Sequence, residues 1–346
     1  MNPHAKLISL LSITLGSLIT MSSNHWILAW AGLEINTLAV IPLISKSHHP
    51  RAVEASIKYF LIQASASALI LFSSLSNAWS TGQWDIMHLT NSTSSLLLTT
   101  AIAMKLGLVP FHFWFPEVLQ GSSLMTGLLL STLIKLPPLA ILSQVASSLN
   151  PTVLTFMAIT STALGGWMGL NQTQIRKILA FSSISHLGWM SMVIIFSPKL
   201  TILTFCLYTL ITTSVFMSLN TTKTTNLPTL MISWTKTPSL NAILLVVLLS
   251  LAGIPPMSGF MPKWMILQEL VNQEMAPMAV IISLLSLLGL FFYLRLAYYS
   301  TITLPPNSAN YMKQWYTNKN SFILTATLSS LSITLLPLSP MILAMF

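Results

Sequence analysis

The fold is decided by one stretch, Ala252-Gly-Ile-Pro-Pro-Met-Ser-Gly-Phe-Met-Pro-Lys263, which lies inside an apolar segment running from Leu240 to Leu270. That segment is longer than the roughly 20 residues that a straight membrane helix needs. Pro255 and Pro256 remove backbone donors and clash with the preceding turn, so the helix must break there. A break at membrane depth is tolerated only where it faces protein or a water-filled cavity. The lysine after the break is costly in lipid and is therefore a functional candidate.

A second stretch, 107–117, repeats this pattern inside another overlong apolar segment. Paired interrupted helices at corresponding positions of two halves are typical of ion transporters. The sequence therefore predicts an internally duplicated ion translocator with two broken helices. The first of these is interrupted at Pro110. The matching residues are Gly107 with Gly253, Pro110 with Pro256, and Pro116 with Pro262.

Composition identifies a membrane protein. Of 346 residues, 53% are hydrophobic and 6% are charged, whereas about 25% charged residues is usual in soluble domains. The single cysteine, Cys206, excludes a disulfide framework and cannot hold an iron–sulfur cluster alone. The pI near 9.8 reflects basic residues in short loops, which the positive-inside rule explains better than a nucleic-acid partner. Phosphate-binding and dinucleotide-binding motifs are absent from the sequence, and no metal site is predicted.

Apolar runs predict an all-α integral membrane protein with eleven transmembrane helices. The two broken segments are the fourth and the ninth, so they cross the membrane in opposite directions. This predicts two inverted five-helix repeats, 1–150 and 151–300, followed by a matrix loop and a C-terminal helix in 301–346. The predicted segments are 7–22, 26–44, 59–78, 95–120, 125–147, 152–171, 178–196, 201–219, 240–270, 277–299 and 321–345.

Lysine and arginine fall almost entirely on one side of this topology. With the N-terminus on side A, eleven cations lie on that side, and side B receives Lys199 with Asp85, Glu269 and Glu274. This bias predicts that side A is the interior. The Leu-, Thr-, Met- and Ser-rich composition with very few acids fits an organelle-encoded protein. For a mitochondrial protein the interior is the matrix, so the N-terminus would lie in the matrix and the C-terminus in the intermembrane space. The side-A cations are Lys6, Lys46, Arg51, Lys58, Arg176, Lys177, Lys223, Lys236, Arg295, Lys313 and Lys319.

Four ionisable groups are predicted to lie inside the membrane: Glu34, Lys105, Lys135 and Lys263. A buried lysine loses its hydration, which favours the neutral amine, and a nearby carboxylate opposes that effect. A Glu34–Lys105 contact that forms and breaks would therefore switch the lysine between holding and releasing a proton. Lys135, a neutral His186 and water around the two breaks would carry the proton onward. The alternative interpretation is a structural ion pair with no role in transport.

Other polar residues carry weaker signals. His186 lies in the middle of the seventh segment, where a proton relay and a hydrogen-bonded core residue are about equally supported by the sequence. His112 lies in an aromatic run after the first break, which favours a structural role. Glu117 aligns with Lys263 across the repeat, but we expect it at the end of its helix without a special role. The Thr- and Asn-rich stretch 220–239 is predicted to be a solvated connector.

Several blocks together resemble a known family. They are Glu34 in a membrane segment, Lys105-Leu-Gly-Leu-Val-Pro110-Phe-His-Phe-Trp-Phe-Pro116-Glu117, Lys135, Arg176-Lys-x-Leu-Ala-Phe-Ser-Ser-Ile-Ser-His186-x-Gly188, and Ala252-Gly-Ile-Pro-Pro-x-x-Gly-Phe-x-Pro262-Lys263. On these blocks the chain resembles the antiporter-like family over essentially its whole length. That family comprises the proton-pumping membrane subunits of respiratory NADH:quinone oxidoreductase and of related multi-subunit cation/proton antiporters. Against the family's fuller pattern, the resemblance implies that the chain lacks about three N-terminal helices.

The resemblance implies a proton channel in the mitochondrial inner membrane without a redox centre of its own. The family's key glutamate matches Glu34, its broken-helix lysine matches Lys105, its connecting lysine matches Lys135, and the lysine of its second broken helix matches Lys263. NADH, FMN, iron–sulfur clusters and ubiquinone would belong to partner subunits of an H+-translocating NADH:ubiquinone reductase. Neighbouring antiporter-like subunits and lipids such as cardiolipin would surround the chain.

Two alternative functions remain open. The first is a stand-alone cation/proton antiporter of the same family, which would share every membrane feature of the chain. The second is a structural subunit whose path is inactive. The four interior charges argue against the second alternative. Burying charge in the membrane costs free energy, and an inactive channel would gain nothing from it.

Overall fold

The computed structural model describes residues 2–47, 49–234, 237–302 and 323–339, which are helical apart from turns, loops and isolated bridges. Short 3-10 turns occupy Ser45–Ser47, Leu133–Lys135, Ala146–Ser148 and Leu336–Leu338. The α-helices are α1 (Pro3–Ser22), α2 (Trp26–Ile44), α3 (Pro50–Thr81), α4 (Ser92–Leu106), α5 (Trp114–Gly121), α6 (Leu124–Ser131), α7 (Leu136–Gln144), α8 (Pro151–Gly169), α9 (Ile175–Val193), α10 (Pro198–Thr222), α11 (Leu227–Ser233), α12 (Pro238–Ala252), α13 (Phe260–Asn272), α14 (Ala276–Ile302) and α15 (Ile323–Thr334).

Six stretches in the described residues are long and apolar enough to cross a membrane, so the chain is an all-helical membrane protein. Each of the eleven predicted segments falls on helix, in whole or in part, while the number that cross the membrane stays a prediction. The six stretches are Pro3–Ser22, Trp26–Ile44, Pro50–Thr81, Leu124–Gln144, Pro198–Thr222 and Ala276–Thr301.

The surface has the character expected in lipid. Leucines point outward along α1 and α14, where Leu15 is 58% exposed and Leu284 is 60% exposed. Many serine and threonine side chains are instead buried, and most of these donate to a carbonyl three or four residues earlier in their own helix, as Ser73 does to Ile70. Apolar groups outside and self-satisfied hydroxyls inside are favourable only when the surrounding solvent is apolar.

The two broken helices have matching bounds. Helices α4 and α12 are both 15 residues long and end one residue before a left-handed glycine, Gly107 at φ 77° and Gly253 at φ 78°. Helices α5 and α13 then begin at Trp114 and Phe260. These two starting residues are 146 positions apart in the sequence, and so are Gly107 and Gly253. A side chain with a Cβ is disfavoured in this backbone region, which explains why the duplicated pattern begins with glycine. The inverted repeat itself stays a prediction.

The chain packs as two compact units, and α8, α9 and α10 each have residues in both. The first unit contains Met1–Thr162 and Leu187–Ile202, and the second contains Ala163–His186 and Leu203–Phe346. In the first unit α3 packs against α2, α4 and α5, and α7 packs against α1 and α4. Helix α3 therefore lies beside both halves of the first broken helix.

The second unit is organised around α14, which packs against α11, α12 and α13. Arg295 on α14 donates hydrogen bonds to the carbonyls of Leu170 and Gln172, the latter at 2.7 Å between Nη2 and O. These carbonyls follow the C-terminus of α8, where a cation is favourable. This side-A cation of the predicted topology thus has an internal structural role.

The stretch predicted as a solvated connector, 220–239, contains α11 with buried residues, so that prediction is wrong in part. Leu227 and Leu230 of α11 are buried, and Nδ2 of Asn241 donates to Oγ of Ser233 at 2.8 Å. Asn226 forms a capping box at the start of α11, with proline at the second helical position. These local start signals were obscured by the Thr-rich composition around them. Residues 235–236, which include Lys236, lie outside the described residues.

The predicted region 301–346 lies largely outside the described residues, which omit 303–322 and 340–346 and therefore Lys313 and Lys319. Within it, α15 packs against α12. Its buried residues are Ser329 and Ser332, whereas Ile323 and Leu331 are exposed. Helix α15 therefore turns a hydroxyl face inward and an apolar face outward.

Candidate functional site

Lys105 lies in the last turn of α4, directly before the first break. Its side chain is 3% exposed, and its Nζ has no hydrogen-bond partner among the described residues. The left-handed Gly107 ends the helix two residues later, and the loop contains the cis peptide bond Val109–Pro110. Lys105, which the sequence predicts inside the membrane, is therefore a buried cation. It lies next to a loop whose backbone lacks the regular hydrogen bonds of a helix.

Glu34 on α2 interacts electrostatically with Lys105 but forms no ion pair with it. Its buried Oε2 has no hydrogen-bond partner within the described part of the chain, and the ion pairs found there are those of Lys58 with Glu54 and Glu117. The Glu34 carboxylate nevertheless interacts electrostatically with the Lys105 ammonium. The structure thus has the two predicted partners within electrostatic range but not in a direct ion pair.

Lys135 lies in a third helix break that the sequence analysis missed. The 3-10 turn Leu133–Lys135 separates α6 from α7, so the predicted span 125–147 is interrupted at its middle. Pro137 and Pro138 follow in the first turn of α7. This is the same adjacent-proline signal that predicted the second break, and it could have found this one too.

The ammonium of Lys135 lies over an aromatic ring. Its Nζ is 4.1 Å from the ring centroid of Phe115, in the first turn of α5, and both side chains are buried. A cation over a ring face is attracted by the negative charge density there, an effect worth about 2 kcal/mol when desolvated. The start of α5, just after the first break, thereby stabilises the cation of Lys135.

His112 lies inside the first break and is 1% exposed, with its ring centroid 4.2 Å from that of Phe113. The structural role that the aromatic run favours for His112 stays a prediction. Glu117 lies in the first turn of α5, with its side chain half-exposed, and its Oε2 is 2.7 Å from Nζ of Lys58. The position that aligns with Lys263 therefore carries a half-exposed ion pair, and its lack of a special role stays a prediction.

Lys263 and the second break lie in the second unit. Nζ of Lys263 donates to the carbonyl of Ala252, the last residue of α12, at 2.8 Å. The side chain passes close to Gly253, where a Cβ would lie 2.8 Å from Nζ. Gly259 abuts the Ser250 carbonyl so closely that a Cβ there would overlap the oxygen. The break is thus a tight loop folded onto the end of α12, with the lysine across it.

His186 lies on α9 in the second unit, partly buried, with its ring centroid 5.3 Å from that of Tyr208 on α10. Of the predicted relay residues, Glu34, Lys105 and Lys135 belong to the first unit, and His186 and Lys263 to the second. In the described ranges, no group of three His, Cys, Asp or Glu side chains is arranged to hold a metal ion. The candidate site is therefore a set of buried or partly buried ionisable groups, of which the three lysines lie at helix breaks.

Two family models match the chain. Residues 23–289 match the model described as NADH:quinone oxidoreductase/Mrp antiporter, transmembrane, and residues 290–343 match NADH dehydrogenase subunit 2 C-terminus. The NADH-ubiquinone oxidoreductase chain 2 of Struthio camelus is 75% identical over 344 residues, which cover 99% of each chain. That of Gallus gallus is 71% identical over 345 residues, which cover 100% of each chain.

Solved structures share the fold. A chain of respiratory complex I from Thermus thermophilus with bound aureothin superposes with a TM-score of 0.83 at 25% identity, covering 97% of this chain and 80% of that one. A chain of the Mrp complex from Dietzia sp. DQ12-45-1b has a TM-score of 0.79 at 17% identity, covering 97% and 75%. At that identity the second likeness concerns the fold alone.

Proposed function

The chain belongs to the NADH:quinone oxidoreductase/Mrp antiporter family of membrane subunits, and we propose that its buried ionisable residues form a proton pathway. It is a membrane subunit of an H+-translocating NADH–ubiquinone oxidoreductase, as are the relatives that match it from end to end. Its task is to convert energy released by electron transfer elsewhere in the assembly into proton movement.

One observation carries the pathway: each of three helix breaks has a lysine at its edge or across it. Lys105 directly precedes the first break, Lys135 ends the turn between α6 and α7, and Lys263 spans the second break. Ionisable side chains at membrane depth are expensive and mark ion pathways. Broken backbone at that depth needs protein or water to satisfy it, so the same places offer both a titratable group and polar surroundings.

The proposed path runs from Glu34 and Lys105 through Lys135 and His186 to Lys263. Conformational or electrostatic change from the redox part of the assembly alters the Glu34–Lys105 interaction and thereby the proton affinity of the lysine. A nearby opposite charge changes such an affinity by about 1.4–4 kcal/mol. Moving one proton against 100 mV requires about 2.3 kcal/mol, so the two energies are of the same order.

The chain's setting is part of the proposal. NADH, FMN, the iron–sulfur clusters and ubiquinone are held by partner subunits, and neighbouring antiporter-like subunits and lipids such as cardiolipin surround this one. The chain crosses the mitochondrial inner membrane eleven times as two inverted repeats, with its N-terminus in the matrix and its C-terminus in the intermembrane space. The end-to-end match to subunits of the oxidoreductase and the apolar helices support this setting.

The first experiment isolates the chain in mild detergent from its native membrane and assays inhibitor-sensitive NADH:quinone activity. We expect the activity to travel with the chain in a large assembly. A chain that emerges alone and drives cation/proton exchange in vesicles would overturn the oxidoreductase assignment in favour of a stand-alone antiporter.

The pathway itself is tested by Lys263→Met in the assembled complex. We expect coupled turnover and proton pumping to fall, with less effect on NADH oxidation by an artificial acceptor. The control is Lys199→Met, which removes an exposed lysine just inside the start of α10. Undiminished pumping in the Lys263 variant would remove this residue from the path.

A further inference from the structure

Tyr59 lies on α3, which packs against both α2 and α4, the helices that carry Glu34 and Lys105. The side chain is 0% exposed. Its hydroxyl has no hydrogen-bond partner in the described ranges of the chain. A buried hydroxyl without a protein partner is ordinarily satisfied by water or by a group that reaches it in another conformation.

Neighbouring contacts hold this side chain beside the end of α4. Gln63, one turn after Tyr59 on α3, donates from Nε2 to the backbone carbonyl of Lys105 at 3.3 Å. The Tyr59 ring lies 5.8 Å from the ring of Trp114, whose Nε1 donates to the carbonyl of Met104 at 3.2 Å. The face of α3 that carries Tyr59 and Gln63 therefore contacts the backbone of α4 at Lys105.

Charge connects the same three side chains. The Glu34 carboxylate interacts electrostatically with the Tyr59 phenol as well as with the Lys105 ammonium. Oε2 of Glu34, the hydroxyl of Tyr59 and Nζ of Lys105 all lack hydrogen-bond partners in the residues that the structure describes. Three polar side-chain atoms without a hydrogen-bond partner in the described residues thus lie on α2, α3 and α4, and α3 packs against both of the other helices.

We propose that the Tyr59 hydroxyl relays a proton between Lys105 and Glu34. In this step the lysine ammonium gives a proton to the phenol oxygen, directly or through water, while the phenol O–H proton passes to the carboxylate. One N–H bond and one O–H bond break, two O–H bonds form, and the tyrosine ends neutral as it began. This inference rests on the proposed function and adds a residue to it.

Packing alone does not account for the hydroxyl. A phenylalanine would place the same ring against Trp114 without burying an unpartnered O–H, whose desolvation costs about 1–3 kcal/mol. A proton relay does need it, because a phenol can accept and donate a proton at the same oxygen.

The test compares Tyr59→Phe and Tyr59→His in the intact complex. Phenylalanine keeps the ring and loses the relay, so coupled proton uptake should fall about a hundredfold or more, as for other positioned proton-transfer groups. Histidine packs less well but can still carry a proton, so it should pump faster than phenylalanine. A packing role predicts the reverse order. The control is Tyr293→Phe, at a tyrosine in the second unit that is 1% exposed.

A double substitution separates the relay from an indirect effect. If Tyr59 and Glu34 act in one step, Tyr59→Phe combined with Glu34→Gln should lose no more pumping than the stronger single variant. If the losses of the two single variants multiply in the double variant, the proposal is overturned. A Tyr59→Phe variant that pumps normally, or one that fails to assemble, also overturns it. Lys105→Met distinguishes a failure of the Tyr59 relay from a failure of the whole proposed pathway. If it abolishes pumping while Tyr59→Phe does not, the relay alone is wrong, and if neither affects pumping, the proposed pathway is wrong.

Discussion

Lys263 reaches across the second helix break to the carbonyl of Ala252, with 2.8 Å between Nζ and O. Ala252 is the last residue of α12, and a terminal carbonyl has no donor within its own helix. A cation at this end also interacts favourably with the helix dipole. The first break has its lysine in the last turn of α4 instead. Both breaks thus pair a lysine with the C-terminus of the first half-helix, from opposite sides of the gap.

Gly253→Ala should disturb Lys263 directly. The new Cβ would lie 2.8 Å from Nζ and 2.9 Å from Cε, at a backbone φ of 78°. We expect displacement of the ammonium and a loss of proton pumping, measured as protons moved per NADH oxidised. The matched control is Gly82→Ala, at φ 73° with nothing within 4 Å of its Cβ. Both variants carry a backbone cost of about 1–2 kcal/mol, so an equal loss in both would contradict a specific effect on Lys263.

Phe115→Leu should weaken the site of Lys135. Leucine removes the ring that lies 4.1 Å from Nζ, which forfeits about 2 kcal/mol of cation–π attraction. The charged form of Lys135 becomes less stable relative to the neutral amine, so we expect slower coupled turnover. Phe115→Tyr, which keeps the aromatic face, should restore it in the same assay. Phe156→Leu removes an exposed ring and serves as the control. If tyrosine and leucine behave alike, the ring does not act on the lysine.

Ser258→Ala should loosen α15 from the second break. The buried Ser258 hydroxyl donates to the carbonyl of Ser332, in the last turn of α15. Its loss leaves that carbonyl unpaired at a cost of about 1–3 kcal/mol, which should lower the thermal unfolding temperature of the purified complex. Ser250→Ala removes an equally buried hydroxyl that bonds only within its own helix. A larger effect from the control would show that Ser258 is not the attachment point.

Glu117→Gln should leave proton pumping unchanged, even though position 117 aligns with Lys263 across the repeat. Its carboxylate is half-exposed and pairs with Lys58 near the surface, and such pairs contribute little to stability. Proton pumping and NADH oxidation measured side by side provide the check, with Lys263→Met as the contrasting variant. A pumping defect in the glutamine variant would make the two repeats functionally alike.

Much of the fold could be predicted because the signals are local. The left-handed backbone after α4 and α12 calls for the glycines that stand at 107 and 253, and adjacent prolines end a helix whatever surrounds it. The same logic applies at Pro137 and Pro138, where the break beside Lys135 was predictable but missed. Charges in apolar segments identified Glu34, Lys105, Lys135 and Lys263 as candidates, since lipid penalises them wherever the helices pack.

The amino-acid sequence by itself determined which residues break the helices and which carry charge into the membrane, because backbone geometry and desolvation act at each position separately. Only the tertiary structure decided what those residues meet: Lys263 on the carbonyl of Ala252, Lys135 over Phe115, and Glu34 within electrostatic range of Lys105 without an ion pair. Tyr59 gave no sequence signal, because a tyrosine in an apolar helix is ordinary until its neighbours are known. Such relationships depend on side chains far apart in the chain, and helix packing alone brings them together.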